Sequence, residues 1–380
     1  MSESVLILKD LIKLNSENPP GNTRQIIEWI QTWAEKNKIP VNTQWYEKDK
    51  ANIILSVGES EKTIVLCGHL DTVPIGDSNN WQHDPLGAIE EDGYIWGRGS
   101  ADMKAGVAAC LAAMKLLKNS EDVDKLPYKI VFLGTSDEEV DFRGARTAVE
   151  FNIMDSAEFL IVPEPTALDV GIAEKGILWL IIRSFGKAAH GSTPEKGINA
   201  IEELSKLFPI LHANVPTEKH YILGQSTLNI GVFKGGKSTN VVPENAEIHC
   251  DYRLVPPINP SDYARKIDTL IKEYKEKSPA RFETEIKQKY EAVQSSKDEK
   301  LVQLFIETAS RRKIIGVNYA TDAAVLVSPP SKYVPFILYG PGDPNAIHAA
   351  NERVSISEVQ KAESVIEEFL KKVNSSFTHT

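Results

Sequence analysis

The chain has 380 residues, 42% apolar and 25% charged, with a net charge of −10; this suits a folded globular chain of about two to three domains and excludes the basic footprint of a nucleic-acid binder. Three widely separated cysteines, Cys67, Cys110 and Cys250, form no CxxC pair, which excludes a disulfide framework or a thiolate zinc site. No leader-like segment and no apolar run of about 18 residues is present, so the expectation is a cytoplasmic protein that spans no membrane.

In chain order, the pattern predicts helices over residues 4–14 and 23–38, separated by the punctuation "NSENPPGN". Strands follow at "NIILSVG" and "TIVLCGH", then a helix over "DMKAGVAACLAAMKLLKNS", rich in good helix formers. "YKIVFLGTSDE" and "EFLIVPEP" read as strands, as does "VPFILYGPG" far downstream, and "ISEVQKAESVIEEFLKKV" as a final amphipathic helix. Near-continuous apolar strands separated by helices predict an α/β fold with a mainly parallel sheet sandwiched by helices. Between these elements, strand "ILWLIIRSFG", helix "NAIEELSKLFPILHANV", strands "QSTLNIGVFKGG" and "AEIHCDYRLVP", helix "SDYARKIDTLIKEYKEK" and strand "RFETEIKQKYEAV" follow one another. That β-α-β-β-α-β order suits a ferredoxin-like α+β domain. The expected organisation is a large domain over 1–175 and 291–380, interrupted by an inserted domain over 176–290.

The ends of the strands carry the chemistry. "TIVLCGH" ends at His69 and Asp71, which share one side of an extended strand. "KIVFLGTSDEE" ends at Asp137, Glu138 and Glu139, "FLIVPEP" at Glu164, and "VPFILYGPGDPNAIH" leads to His348, while Asp102 stands at the entry of the Ala-rich helix. In open parallel sheets, ligands bind at the carboxyl edge. Imidazole and carboxylate without thiolate suits zinc, with cobalt or manganese as alternatives. Clustered, Asp102, Glu138, Glu139 and Glu164 would repel one another, and two divalent cations would neutralise them. Taken singly, each residue has an ordinary explanation: Asp102 as a helix N-cap, Asp137 to Glu139 as a solvated turn, His69 as a core histidine. Their conjunction on independent strands argues for a site. His83, His212, His220, His249 and His379 lack such company.

The motifs "HLDTVP", "GRGSADMKAG", "TSDEE", "VPEPT" and "GPGDPNAIHAANE" together resemble the zinc-dependent amidohydrolase and exopeptidase family of acetylornithine deacetylase, succinyl-diaminopimelate desuccinylase, aminoacylase and carboxypeptidase G. The resemblance runs through the whole chain in order. It implies two Zn²⁺ ions, one held by His69 and Glu164, the other by Glu139 and His348, with Asp102 shared and Asp71 orienting His69. It implies Glu138 as general base toward a bridging water, and a cis peptide after Asp102. The inserted domain resembles the family's lid and dimerisation domain. "GKAAHGS" would present His190 as an oxyanion donor to the other subunit of a homodimer, and Asn240 and Arg253 match positions that hold a substrate carboxylate. Desuccinylases tend to carry an arginine where this chain has Ile177 and Leu178. The implied activity is hydrolysis of N-acyl amino acids. A metallo-dipeptidase or carboxypeptidase acting on short peptides is the alternative, and a non-catalytic metal-dependent binding protein is the reading from another class; Glu138 argues against the last, because binding alone needs no base.

Overall fold

A computed structural model of the chain describes residues 2–121, 123, 126–310, 312–327 and 332–377. It separates into two compact units. One comprises Met1–Ile172, Gln294–Ile315 and Thr321–Thr380, the other Ala173–Val293 and Gly316–Ala320.

The larger unit is built on a mixed sheet with a parallel centre. Its strands lie in the order Val41–Glu47, Lys50–Val57, Lys129–Thr135, Thr63–His69, Ala157–Pro165, Phe336–Gly340, Val170–Glu174 and Val293–Gln294. Lys129–Thr135, Thr63–His69, Ala157–Pro165 and Phe336–Gly340 pair in parallel. Both strands at the N-terminal edge and Val170–Glu174 are antiparallel to their neighbours. Every residue of Thr63–His69 is buried, as expected of a central strand covered on both faces. Helix Lys104–Lys118 packs against this strand and against helices Glu3–Ile12 and Ile356–Phe377. Its run of alanines lets it lie close to the sheet: a Cβ at Gly106 would stand 2.0 Å from the carbonyl oxygen of Pro163. Arg24–Lys36 and Arg143–Glu150 pack on strand Lys50–Val57.

The smaller unit has a four-stranded sheet in the order Thr227–Gly235, Asn245–Leu254, Gly176–Phe185, Arg281–Tyr290, antiparallel throughout. One face packs on helices, with Leu178, Leu180, Ile182, Ile248 and Tyr252 meeting Leu204, Leu211 and Ile267. The helix expected over "NAIEELSKLFPILHANV" is two, Ala200–Ser205 and Phe208–Ala213. Pro209 supplies the reason: it has no N–H to donate, and its ring clashes with the carbonyl four residues back. Gly316–Ala320, placed by sequence in the C-terminal part of the large domain, groups instead with this unit. There, the N–H of Lys175 donates to the Val317 carbonyl, and Gly316 lies against Leu223. Among the described residues, no helix is long and apolar enough to cross a membrane.

Candidate metal centre

Strand register brings the sequence-predicted residues of the larger unit together. His69 stands opposite Thr135 across one parallel pair, and Gly340 opposite Pro165 across another. The chain therefore leaves at one edge of the sheet after His69, before Asp137 to Glu139, after Glu164, and into the loop that reaches His348.

Asp102 sits at the middle. One carboxylate oxygen lies 3.0 Å from His69 Nε2 and the other 3.0 Å from His348 Nε2. His348 Nε2 is also 3.3 Å from Glu139, and His69 Nε2 is 3.9 Å from Glu164. Helix Lys104–Lys118 begins at an N-cap position occupied by Met103, so Asp102 is not its cap; both its oxygens face imidazoles instead. The Asp102–Met103 peptide is cis, as the resemblance implies. His348 and Asp137 adopt φ of 62° and 67°, a left-handed backbone that costs non-glycine residues energy and persists where the surroundings over-determine it.

Among the described residues, three sets of side chains each bring ligand atoms within 4.8 Å of one another: His69, Asp102 and Glu164; Asp102, Glu139 and His348; His69, Glu138 and Glu139. The first two share Asp102. Glu139 Oε1 is buried without a hydrogen-bond partner, a costly condition that a cation would relieve. Burial pushes the Glu138 and Glu164 carboxyls well above the usual carboxylate range, and neighbouring carboxylates add to the shift. Burial likewise raises Glu139. Burial would raise Asp102 too, but hydrogen bonds from His348 and His69 hold it below its ordinary value. Hydrogen bonds to Asp102 and Glu139 push His348 up to about 10. His69 is opposed by burial, yet Asp102 and the surrounding carboxylates raise it. The donor set fits two divalent cations in charge and in chemistry.

A second ring of residues holds this set. His69 Nδ1–H donates to the Asp71 backbone carbonyl at 2.9 Å, which turns Nε2 toward the carboxylates. The Asp71 carboxylate, 3.9 Å from Nδ1, is therefore not the nearer orienter of the ring. It accepts instead from Asn18 at 2.8 Å and from the backbone N–H groups of Glu138 and Glu139 at 3.3 Å each. Asn18 also donates to Asp137, which pairs with Lys50 at 2.7 Å.

The model of peptidase family M20/M25/M40 matches residues 65–372. The chain belongs to this family. As an M20 chain it is a hydrolase. It is 28% identical over 358 residues to an acetylornithine deacetylase of Photorhabdus laumondii, covering 92% of this chain and 90% of that protein. It is 25% identical over 384 residues to a probable succinyl-diaminopimelate desuccinylase of Staphylococcus epidermidis, covering 92% of each. The crystal structure of an M20 family metallo-carboxypeptidase from Sulfolobus solfataricus superposes with a TM-score of 0.82 at 21% identity, covering 99% of this chain and 100% of that one. A Bacillus subtilis M20 protein solved as a dinuclear metal binding peptidase gives 0.72 at 15% identity, covering 98% of both. At those identities the two structures speak to the fold.

In the smaller unit of this M20 chain, His190 and Asn240 lie on adjoining segments: His190 bridges Val241, and the Gly191 N–H donates to the Asn240 carbonyl at 2.7 Å. Both side chains are exposed. Arg253 is elsewhere, on strand Asn245–Leu254, with its fork engaged by Asp251 at 2.9 and 3.1 Å. Sequence reasoning assigned no role to Asn18, Glu352 or Asp322. Asn18 was hidden in what reads as a helix break, and Glu352 closes a quoted motif without a visible partner. Asp322 accepts from Thr135 at 2.5 Å and is pushed up to about 6 by burial; only the three-dimensional pairing shows it.

Proposed function

We propose that this M20 hydrolase cleaves the amide bond of N-acyl amino acids, as the names of its curated relatives suggest, with two divalent cations, zinc by preference, held by His69, Asp102, Glu139, Glu164 and His348. The observation that supports this is Asp102, a carboxylate with one oxygen toward each of two histidines and a place in two of the three donor sets. Bound cations would polarise the amide carbonyl and make the attacking water more acidic. Glu138 is the base: it takes a proton from that water and passes it to the departing amine nitrogen. Burial, which raises its affinity for the proton, suits a group that must hold it between the two events. Asp71, by binding the N–H groups of residues 138 and 139, fixes where base and ligand point.

His190 and Asn240 sit together in the smaller unit, and strand Thr227–Gly235 lies at the edge of its sheet. Edge pairing with a second copy is an economical route to a two-fold dimer. In such a homodimer His190 serves the other subunit as a donor to the carbonyl oxygen, and Asn240 and Arg253 receive the substrate carboxylate. Ile177 and Leu178, both buried, offer no charge to a distal carboxylate on the acyl group, which favours acetyl over succinyl substrates. The test is a panel of N-acetyl and N-succinyl amino acids beside dipeptides. Turnover of N-acetyl amino acids is expected. Turnover confined to dipeptides would replace this reading with the metallo-dipeptidase or carboxypeptidase one.

A further inference from the structure

Glu352 is 1% exposed, and its carboxylate is fully used. Oε1 accepts the backbone N–H groups of Ala101 at 2.8 Å and Asp102 at 3.0 Å. Oε2 accepts the N–H of Gly99 at 3.1 Å and Nη1 of Arg98 at 2.6 Å. Its own carbonyl accepts the N–H of Gly97 at 3.0 Å. Arg98, 3% exposed, extends the link: Nη2 donates to the Pro74 carbonyl at 3.2 Å, and the guanidinium lies 5.1 Å from the Trp81 ring centroid. The pair thus ties together three segments that each deliver a proposed ligand: the chain beyond His69, the loop leading into Asp102, and the chain just past His348.

From this geometry we infer that the buried Arg98–Glu352 pair is a positioning device that sets the Asp102 backbone so that its two oxygens face two cations at once; the inference rests on the reading of Asp102 as their shared ligand. The backbone over residues 99–102 precedes helix Lys104–Lys118; the first helical N–H, that of Lys104, reaches back to the Gly99 carbonyl at 3.0 Å, and one carboxylate, that of Glu352, gathers the N–H groups of residues 99, 101 and 102. A buried ion pair is weak support for stability, because desolvation offsets much of its attraction. Its value here is geometric, holding a ligand that must serve two partners.

The test uses the full chain stripped by chelator, with zinc binding measured by competition calorimetry. Glu352→Gln keeps the shape but turns an amide toward Gly99 and Arg98, which are themselves donors. Zinc affinity is expected to fall by about 10–100-fold, the usual cost of losing a residue that supports a ligand. Glu352→Asp, which keeps the charge, recovers part of it. Glu363→Gln is the control: Glu363 is a buried carboxylate that accepts from Ser4 and stands in no donor set. It is expected to lower the melting temperature of the stripped protein while leaving zinc affinity as in wild type. Wild-type affinity in Glu352→Gln, or an equal loss in Glu363→Gln, overturns the inference. Should Glu352→Gln not fold, Arg98→Lys, which keeps the charge and loses the fork, is expected to weaken zinc in the same direction, and an unchanged affinity overturns the inference as well. Asp102→Asn separates the two levels. If it binds zinc like wild type, the reading of Asp102 fails; if it loses zinc while Glu352→Gln does not, only the positioning role fails.

Discussion

Replacing Glu138 with glutamine removes a charge and a base while keeping the side chain's volume. The backbone N–H groups of residues 138 and 139 are held by Asp71 at 3.3 Å each, contacts that do not use the Glu138 carboxylate, so the substituted side chain keeps its anchorage. Of the three donor sets only one contains Glu138; the two that share Asp102 do not. Loss of a general base costs about 10²–10⁴-fold in rate, or about 2.7–5.5 kcal/mol of barrier. Metal affinity loses no ligand atom from the two Asp102 sets and loses a carboxylate that interacts unfavourably with Glu139 and Glu164. It is therefore expected to change by less than the about 10–100-fold typical of a disturbed ligand support. The assay pairs kcat on the best N-acyl substrate with metal content by atomic emission after dialysis. Rate should collapse while two cations per chain remain. Loss of a cation, with kcat within about tenfold of wild type once metal is restored, would refute the division of labour between Glu138 and Glu139.

Asp102→Asn should weaken both cations together, because Asp102 belongs to both sets; calorimetry showing one site lost and the other intact would break the bridging assignment. Glu139→Gln should weaken one cation only, read in the same experiment. The stripped protein should lose stability as pH rises from about 5 to about 8. Asp322, raised to about 6, and Glu138 and Glu164, raised by burial, bind protons more tightly folded than unfolded, so ionising them costs stability above their unfolded values. His69 and His348 act in the same sense: their contribution is full below about 6.5 and is lost as pH climbs toward the value of about 10 for His348. Asp102, held low, acts only in acid. Saturating zinc should reverse the trend, since it needs the ligands deprotonated; a melting temperature of stripped protein that rises with pH across this window would contradict the account. Mixing inactive Glu138→Gln with inactive His190→Ala subunits should restore activity if His190 serves its neighbour, because a mixed dimer then holds one site with both native residues. Activity that stays at background would place His190 in its own chain's chemistry or outside it.

The parallel centre of the sheet was legible because its strands are uninterrupted apolar runs, such as "TIVLCGH", which only a doubly covered strand requires. Edge elements were not. Val41–Glu47 is half exposed and reads "VNTQWYE", without clean alternation, and the short pairing of Ile89–Glu91 with Tyr94–Trp96 has too few residues to show a period. At the site, the ligand-type residues could be found because they end strands. What could not be found is what holds them. Asn18 reaches Asp71 and Asp137, and Glu352 reaches residues 99, 101 and 102, across distances in sequence that no local pattern records. The orienting of His69 by a backbone carbonyl rather than by the Asp71 side chain is likewise invisible in residue types, because every residue has a carbonyl.

The most direct test of a two-metal amide hydrolase is to titrate the stripped full chain with zinc while following hydrolysis of an N-acetyl amino acid. The account predicts no turnover in the stripped protein, two cations bound per chain, and activity that returns as they bind. Full activity in protein shown to hold no metal, or two bound cations with no hydrolysis of any N-acyl amino acid or short peptide, would contradict it.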